Sequence, residues 1–220
     1  MGERNKRTDA IILTLKRLGE NNSSVSFLSA ERGILYSVLY GGPKSKMRSL
    51  VQPFNSGILY TYEDKAKSQS KIMDFEVKNY HQGVKANLYK IWAANLASEL
   101  VFKTKCGGEP KTAFLLLSAF LDGCDITDEN NARLGTIRFL WRYLALLGVR
   151  PEPEKCGKTF SLGNEAVGYL QALNTLSPAE VRALRLSAET VYQLKAAVFS
   201  LISEAVGDRL NTIETGYAIL

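Results

Sequence analysis

The sequence predicts an α+β chain in two parts, a small amino-terminal β-barrel followed by an all-helical domain. Three observations carry this prediction. Short runs rich in β-branched and aromatic residues, separated by turn formers, continue to about Val77. The apolar spacing then changes to a helical one after Tyr80. The excess positive charge is also confined to the first part of the chain.

In that first part, "AIILTL" (10–15), "SVSFLS" (24–29), "ILYSVLY" (34–40), "GILYTY" (57–62) and "KIMDFEV" (71–77) read as strands. The turn-rich segments "GENNS", "ERG", "GGPKSK" and "EDKAKSQ" lie between them. "SVSFLS" alternates polar and apolar residues, as a sheet with one wet face does. Five short strands at this spacing suit a small barrel. The oligonucleotide-binding (OB) type belongs to that class, and spacing alone does not separate it from an SH3-like barrel. The predicted division is 1–80 for the barrel and 81–220 for the helical domain.

The helices follow from periodicity and caps. "GVKANLYKIWAANLASELVFK" aligns Leu88, Ile91, Trp92, Leu96 and Leu100 on one face, and "KTAFLLLSAFL" is apolar enough to be buried all round. "ENNARLGTIRFLWRYLALLGV" aligns Leu134, Ile137, Trp141 and Leu144, and stops at Gly148 with Pro151 beyond. "LSPAEVRALRL" opens with Ser177 as N-cap and Pro178 at the first helical position. The last long helix aligns Val191, Leu194, Val198, Leu201 and Ile202.

The formal net charge of the 220 residues is +6. Up to Phe75 there are 12 Lys and Arg against 7 Asp and Glu, whereas the remainder holds 16 against 15. A field localised in this way attracts polyanions, nucleic acid first among them. No apolar run reaches the roughly 18 residues of a membrane span, and the start "MGERNKRTDA" lacks a leader's apolar stretch. The expectation is a cytoplasmic, nucleoid-associated protein without membrane partners. Three widely spaced cysteines, Cys106, Cys124 and Cys156, fit a reducing compartment.

Catalytic constellations are missing from the sequence, and the expectation is that the protein is not an enzyme. His81 is the only histidine, at the strand-to-helix junction, where capping or surface exposure is the ordinary role. The glycine spacings of phosphate- and dinucleotide-binding loops are absent. In "DGCDITDEN", Asp122, Asp125 and Asp128 lack the alternation of a calcium loop; Asp128 or Thr127 reads instead as the cap of the following helix. Cys156 in "EKCGKT" has no second cysteine at Thr159, where a zinc knuckle needs one. No cofactor is expected.

Three stretches nevertheless resemble the RecO family of bacterial recombination mediators. "GILYSVLYGGPKSK" is similar to that family's strand, glycine and basic loop, and "SLVQPF" to its Leu-x-Gln-Pro-Phe. "IRFLWRYLALLGVRPEPEKC" is similar to the helix that leads into its cysteine segment, and "VGDRLNTIET" more weakly to its closing helix. The resemblance implies an OB barrel joined to a helical domain. It also implies a function without bond turnover: binding single- and double-stranded DNA, annealing complementary strands, and helping to load recombinase onto strands coated by single-stranded DNA-binding protein (SSB). The implied partners are DNA, RecR and the acidic carboxy-terminal tail of SSB, with RecF and the recombinase RecA involved indirectly. The alternative is a scaffold for RecR and SSB with little DNA binding of its own. Many members carry four zinc-binding cysteines, of which only Cys156 remains, so the segment near 151–165 reads as a degenerate, zinc-less version.

The candidate DNA-binding residues are Arg4, Lys6, Arg7, Lys16, Arg17, Arg32, Lys44, Lys46, Arg48, Lys65, Lys67 and Lys71. Lys44, Lys46 and Arg48 alternate, so an extended loop would point all three the same way. Tyr36, Tyr40, Tyr60 and Tyr62 are candidates for base stacking or for sheet packing. For the SSB tail the candidates are Arg133, Leu134, Arg138, Trp141 and Arg142, since an acidic peptide with an apolar end wants guanidinium groups beside an apolar slot.

Overall fold

The five β-rich runs form five strands: β1 (Asn5–Leu18), β2 (Asn22–Ser29), β3 (Gly33–Leu39), β4 (Ser56–Asp64) and β5 (Gln69–Asn79). In this computed structural model, which describes residues 5–42, 45–64, 69–207 and 209–216, they close into a barrel in the order β1-β2-β3-β5-β4. Every pairing is antiparallel except β3 with β5. A short helix, α1 (Lys46–Leu50), joins β3 to β4. This is an OB-like barrel.

Closure depends on β1. Its first half, Asn5–Ile11, pairs with β4, and Ala10–Leu18 pairs with β2, with a register shift between Ile12 and Thr14. Such a bulge bends a strand, which lets one long strand serve two neighbours. Ala10, Ile12, Val25, Phe27, Leu39, Leu59, Ile72 and Phe75 fill the barrel. The alternate residues Ile11, Leu13 and Leu28 point the other way and belong to the core of the helical part. That explains why "AIILTL" carries an apolar run rather than a clean alternation: the strand is covered on both faces.

The helices are α2 (Gln82–Lys85), α3 (Leu88–Lys103), α4 (Pro110–Ile126), α5 (Glu129–Leu146), α6 (Pro153–Phe160), α7 (Asn164–Thr175), α8 (Pro178–Ala183), α9 (Ala188–Val206) and α10 (Asn211–Thr215). Their starts follow the sequence signals. Side chains of Asn87, Asp128 and Ser187 accept backbone N–H bonds at their helix starts, and Ser177 with Glu180 forms a full capping box. Asp128 thus takes the capping role. Two expectations fail. Leu88, the first residue of α3, is 67% exposed, and the helix buries most of its circumference beyond it, through Trp92, Ala93, Ala94, Leu96, Ala97, Leu100 and Val101. Helix α4 is not buried all round, since Leu115 and Ile126 face solvent.

His81 is neither a surface residue nor a side-chain cap. It is buried, its φ of 47° turns the chain from β5 into α2, and its ring lies between two acceptors. Nδ1–H donates to the Phe54 carbonyl at 2.7 Å, and Nε2 faces Asp122 Oδ1 at 2.9 Å. Asn79 also donates to Asp122, at 3.1 Å. The ring therefore ties the β3–β4 connection to α4 across the junction of the two parts.

The three cysteines are free, buried and separate. Burial pushes each thiol up, that of Cys124 to about 12. Among the described residues no group of three or more His, Cys, Asp or Glu could hold a metal ion. Cys156 is buried in α6, and a Cβ at its neighbour Gly157 would come within 2.6 Å of the Val167 side chain.

Candidate functional sites

Among the described residues the barrel cations do not form one unbroken row. Arg4, Lys44, Lys65 and Lys67 lie outside the described residues. Arg32 is paired with Glu63 at 3.0 Å. Lys6 and Arg7 share a surface depression with Asp74 and Glu76, and Lys71 lies 4.9 Å above the Tyr62 ring. Arg17 and Arg48 both belong to the region of Ser23: Arg17 is opposite it in the β1–β2 register, its Nε–H donating to the Gly19 carbonyl at 3.1 Å, and Arg48 donates to Ser23 Oγ at 3.4 Å. Lys16 is the exposed neighbour of Arg17.

The extended reading of the basic loop is corrected at Lys46 and Arg48. Both sit on α1, where residues two apart point to different sides. Lys46 is exposed, whereas Arg48 turns back onto the barrel and its Nε is buried without a partner. The apolar end of the stretch does return to the interior: Val51 joins the barrel core and Phe54 the helical core. Phe54 N–H donates to the Ile12 carbonyl at 2.8 Å, and Ile12 N–H to the Asn55 carbonyl at 2.9 Å, so the connection is stitched to β1.

The second site lies in the helical part. A pocket of about 400 Å³ opens between α4, α5 and α8. Leu116, Phe120 and Phe139 give it apolar walls, Arg138, Arg142 and Arg182 give it charge, and no acidic residue among those described lines it. The α5 arginines fall one helical turn apart, so both reach the same opening. Arg182 arrives from α8, held by its Nε–H bond to the Pro178 carbonyl at 3.0 Å. Burial, followed by the Arg182 and Arg142 charges, pulls the Arg138 guanidinium below its ordinary range despite the opposing effect of Tyr169. Like charges held together over an apolar floor, with no carboxylate in the lining, favour an anionic ligand with an apolar portion.

Three other residues proposed for a peptide lie elsewhere. Trp141 is fully buried, its indole N–H donating to Asn174 Oδ1 at 3.0 Å, and offers no surface. Arg133 pairs with Glu129 at 2.8 Å and stacks 4.1 Å over Tyr89. Leu134 is half-buried outside the pocket lining, and its carbonyl accepts from Arg138 Nε at 3.2 Å. Sequence reasoning missed Arg182, for which local spacing gives no signal, since forty residues separate it from Arg142.

Residues 1–81 match the family model described as "Recombination protein O N terminal". A curated relative, the DNA repair protein RecO of Pelotomaculum thermopropionicum (strain DSM 13744 / JCM 10971 / SI), is 28% identical over 153 residues. The match covers 68% of this chain and 58% of the relative, so the chain spans less than two thirds of the protein it resembles.

Proposed function

We propose that this chain, whose amino-terminal barrel belongs to the recombination protein O family, is a recombination mediator in DNA repair. In this reading it works by binding and breaks no covalent bond. The helical part captures the acidic tail of SSB, and the barrel holds the DNA strands that SSB gives up. The observation that carries the reading is the pocket of Arg138, Arg142 and Arg182 over apolar walls, with no acid among its described lining residues. A carboxylate-rich tail ending in an apolar side chain satisfies both properties at once: guanidinium groups take the carboxylates, and the slot between α4 and α5 takes the side chain.

Annealing follows from charge. Two DNA strands repel each other, and a cationic surface that holds both lowers the repulsion while the bases stay free to pair. RecR docks on the barrel, and RecF and recombinase act through it. Titration of a fluorescent SSB-tail peptide tests the pocket. Arg138→Ala and Arg182→Ala should each weaken binding at least tenfold, and undiminished affinity in both would refute the assignment. DNA binding is tested in parallel by its salt dependence. Neutralising about five phosphates of a single strand gives a slope of log K on log salt near −3.5, and a slope near zero would leave the scaffold reading, with RecR and SSB as the only partners.

A further inference from the structure

The outer side of β1–β3 is divided. Its apolar half, Ile11, Leu13 and Leu28, is packed into the helical core, and its polar half runs from the buried Ser26 to the half-buried Thr14 and the exposed Tyr36. Thr14, Ser26 and Tyr36 stand opposite one another across β1, β2 and β3. Beyond this row a groove of about 770 Å³ separates the sheet from α3 and α10, within the size that encloses a small ligand. Tyr36 lines it and is 57% exposed. The edge of one ring meets the face of the other where Tyr36 contacts Phe102, at 6.3 Å and 88°, which fixes the orientation of an otherwise free aromatic side chain.

The charges of the groove are arranged asymmetrically. Lys16 stands exposed on the sheet wall next to Ser24. The carboxylate in the groove, Glu99, is already engaged: it accepts from the backbone N–H groups of Asn211 and Thr212, both at 2.9 Å, and pairs with Lys103 at 3.6 Å. A polyanion entering along the sheet therefore meets Lys16 and hydroxyl groups, while the acid opposite is compensated. Asn95, exposed on α3, offers both a donor and an acceptor to whatever lies between.

We propose that this groove takes an unpaired nucleotide of single-stranded DNA, its base stacked on Tyr36 and its backbone running past Ser24 toward Lys16. The proposal rests on the DNA-binding reading above and adds a place and a selectivity to it. A base inside a duplex already has neighbours on both faces and cannot lie on an aromatic ring without leaving the stack. The groove is accordingly a single-strand site, distinct from the cations around Arg17 and Arg48, which meet phosphates of either form.

The test uses the full chain, an oligothymidylate and a duplex of equal length. Tyr36→Ala should weaken oligothymidylate binding about tenfold, the loss of one stacked base, and leave duplex affinity unchanged. Tyr36→Phe, which keeps the ring, should bind like the parent protein. Ultraviolet cross-linking of an oligonucleotide carrying 5-iododeoxyuridine should label the peptide containing Tyr36. If the parent protein binds DNA with the expected salt dependence but Tyr36→Ala binds oligothymidylate equally well, the groove is overturned and the DNA reading stands. Equal losses for single strand and duplex would also overturn it. A parent protein that binds no DNA removes both.

Discussion

The barrel and the helical domain handle positive charge in opposite ways. The first 75 residues carry nearly all of the net excess, yet their cations are spread and partly answered by acids: Glu63 meets Arg32, and Asp74 and Glu76 share a depression with Lys6 and Arg7. The helical domain is almost neutral by count, yet it gathers three arginines into one pocket with no acid in the lining. Net charge along a chain measures how a region attracts at a distance, whereas the convergence of a few side chains determines what it grips. The spread charge of the barrel suits the first task and the convergence in the pocket the second.

This contrast can be broken or sharpened by substitution. The largest effect belongs to Trp141→Ala, which removes a fully buried side chain from the helical core and should cost about 3–5 kcal/mol in urea denaturation. A loss well under 1 kcal/mol would return Trp141 to the surface and reopen its role in peptide binding. Next comes Arg142→Glu, which places an acid among the remaining arginines and should lower affinity for the tail peptide by well over tenfold. Its oligonucleotide affinity should stay within about twofold, and a loss of similar size for both ligands would merge the two sites into one.

On the barrel, single changes should be smaller and graded. Lys46→Ala should reduce the salt slope of DNA binding by less than one unit, the share of about one phosphate contact. Arg32→Ala should change it even less, because the exposed pair with Glu63 already opposes that charge. A large loss at Arg32 would mean that the pair opens to DNA.

The smallest effect depends on pH and concerns α10, which closes one side of the groove. Burial pushes the Glu99 carboxyl up, but the Thr212 side chain, the Thr212 and Asn211 backbone N–H groups and the Lys103 charge together bring it below the usual 4.5. A depressed carboxyl contributes stability that is present above its unfolded value and fades as pH falls through the folded one. Docking of α10 should therefore hold at neutral pH and loosen only below about pH 4.5. Trp92 fluorescence can follow it, since the indole N–H donates to the Thr212 carbonyl at 2.8 Å and the ring lies 5.9 Å from Phe199. Glu99→Gln should remove that acid transition, and an unchanged one would assign it to another group.

Much of the architecture was legible in the sequence. Strand runs, the Ser177 and Asp128 caps and the stop at Gly148 are local signals whose physics acts within a few residues. They fell close to where their patterns placed them, although β1 runs from Asn5 to Leu18, well beyond the apolar run that marks it. The basic stretch was misread because a five-residue helix has no period to display, and alternating cations look the same in an extended loop. Trp141 was misassigned because it shares the core-facing spacing of Ile137 and Leu144, while Arg138 and Arg142 occupy an adjacent strip of the same helix. Arg182 and the Arg32–Glu63 pair were invisible for a different reason: their partners lie about 30 to 40 residues away, and only the folded chain brings them together.

Ile11, Leu13 and Leu28 leave the barrel to join the helical core, and this has a practical side. A fragment ending at Asn79 would carry those three side chains out into water with nothing to lie against, so it should be poorly soluble and prone to self-association. The chain melts as one cooperative body in this picture, and dissecting its activities calls for point changes in the intact molecule rather than scissors.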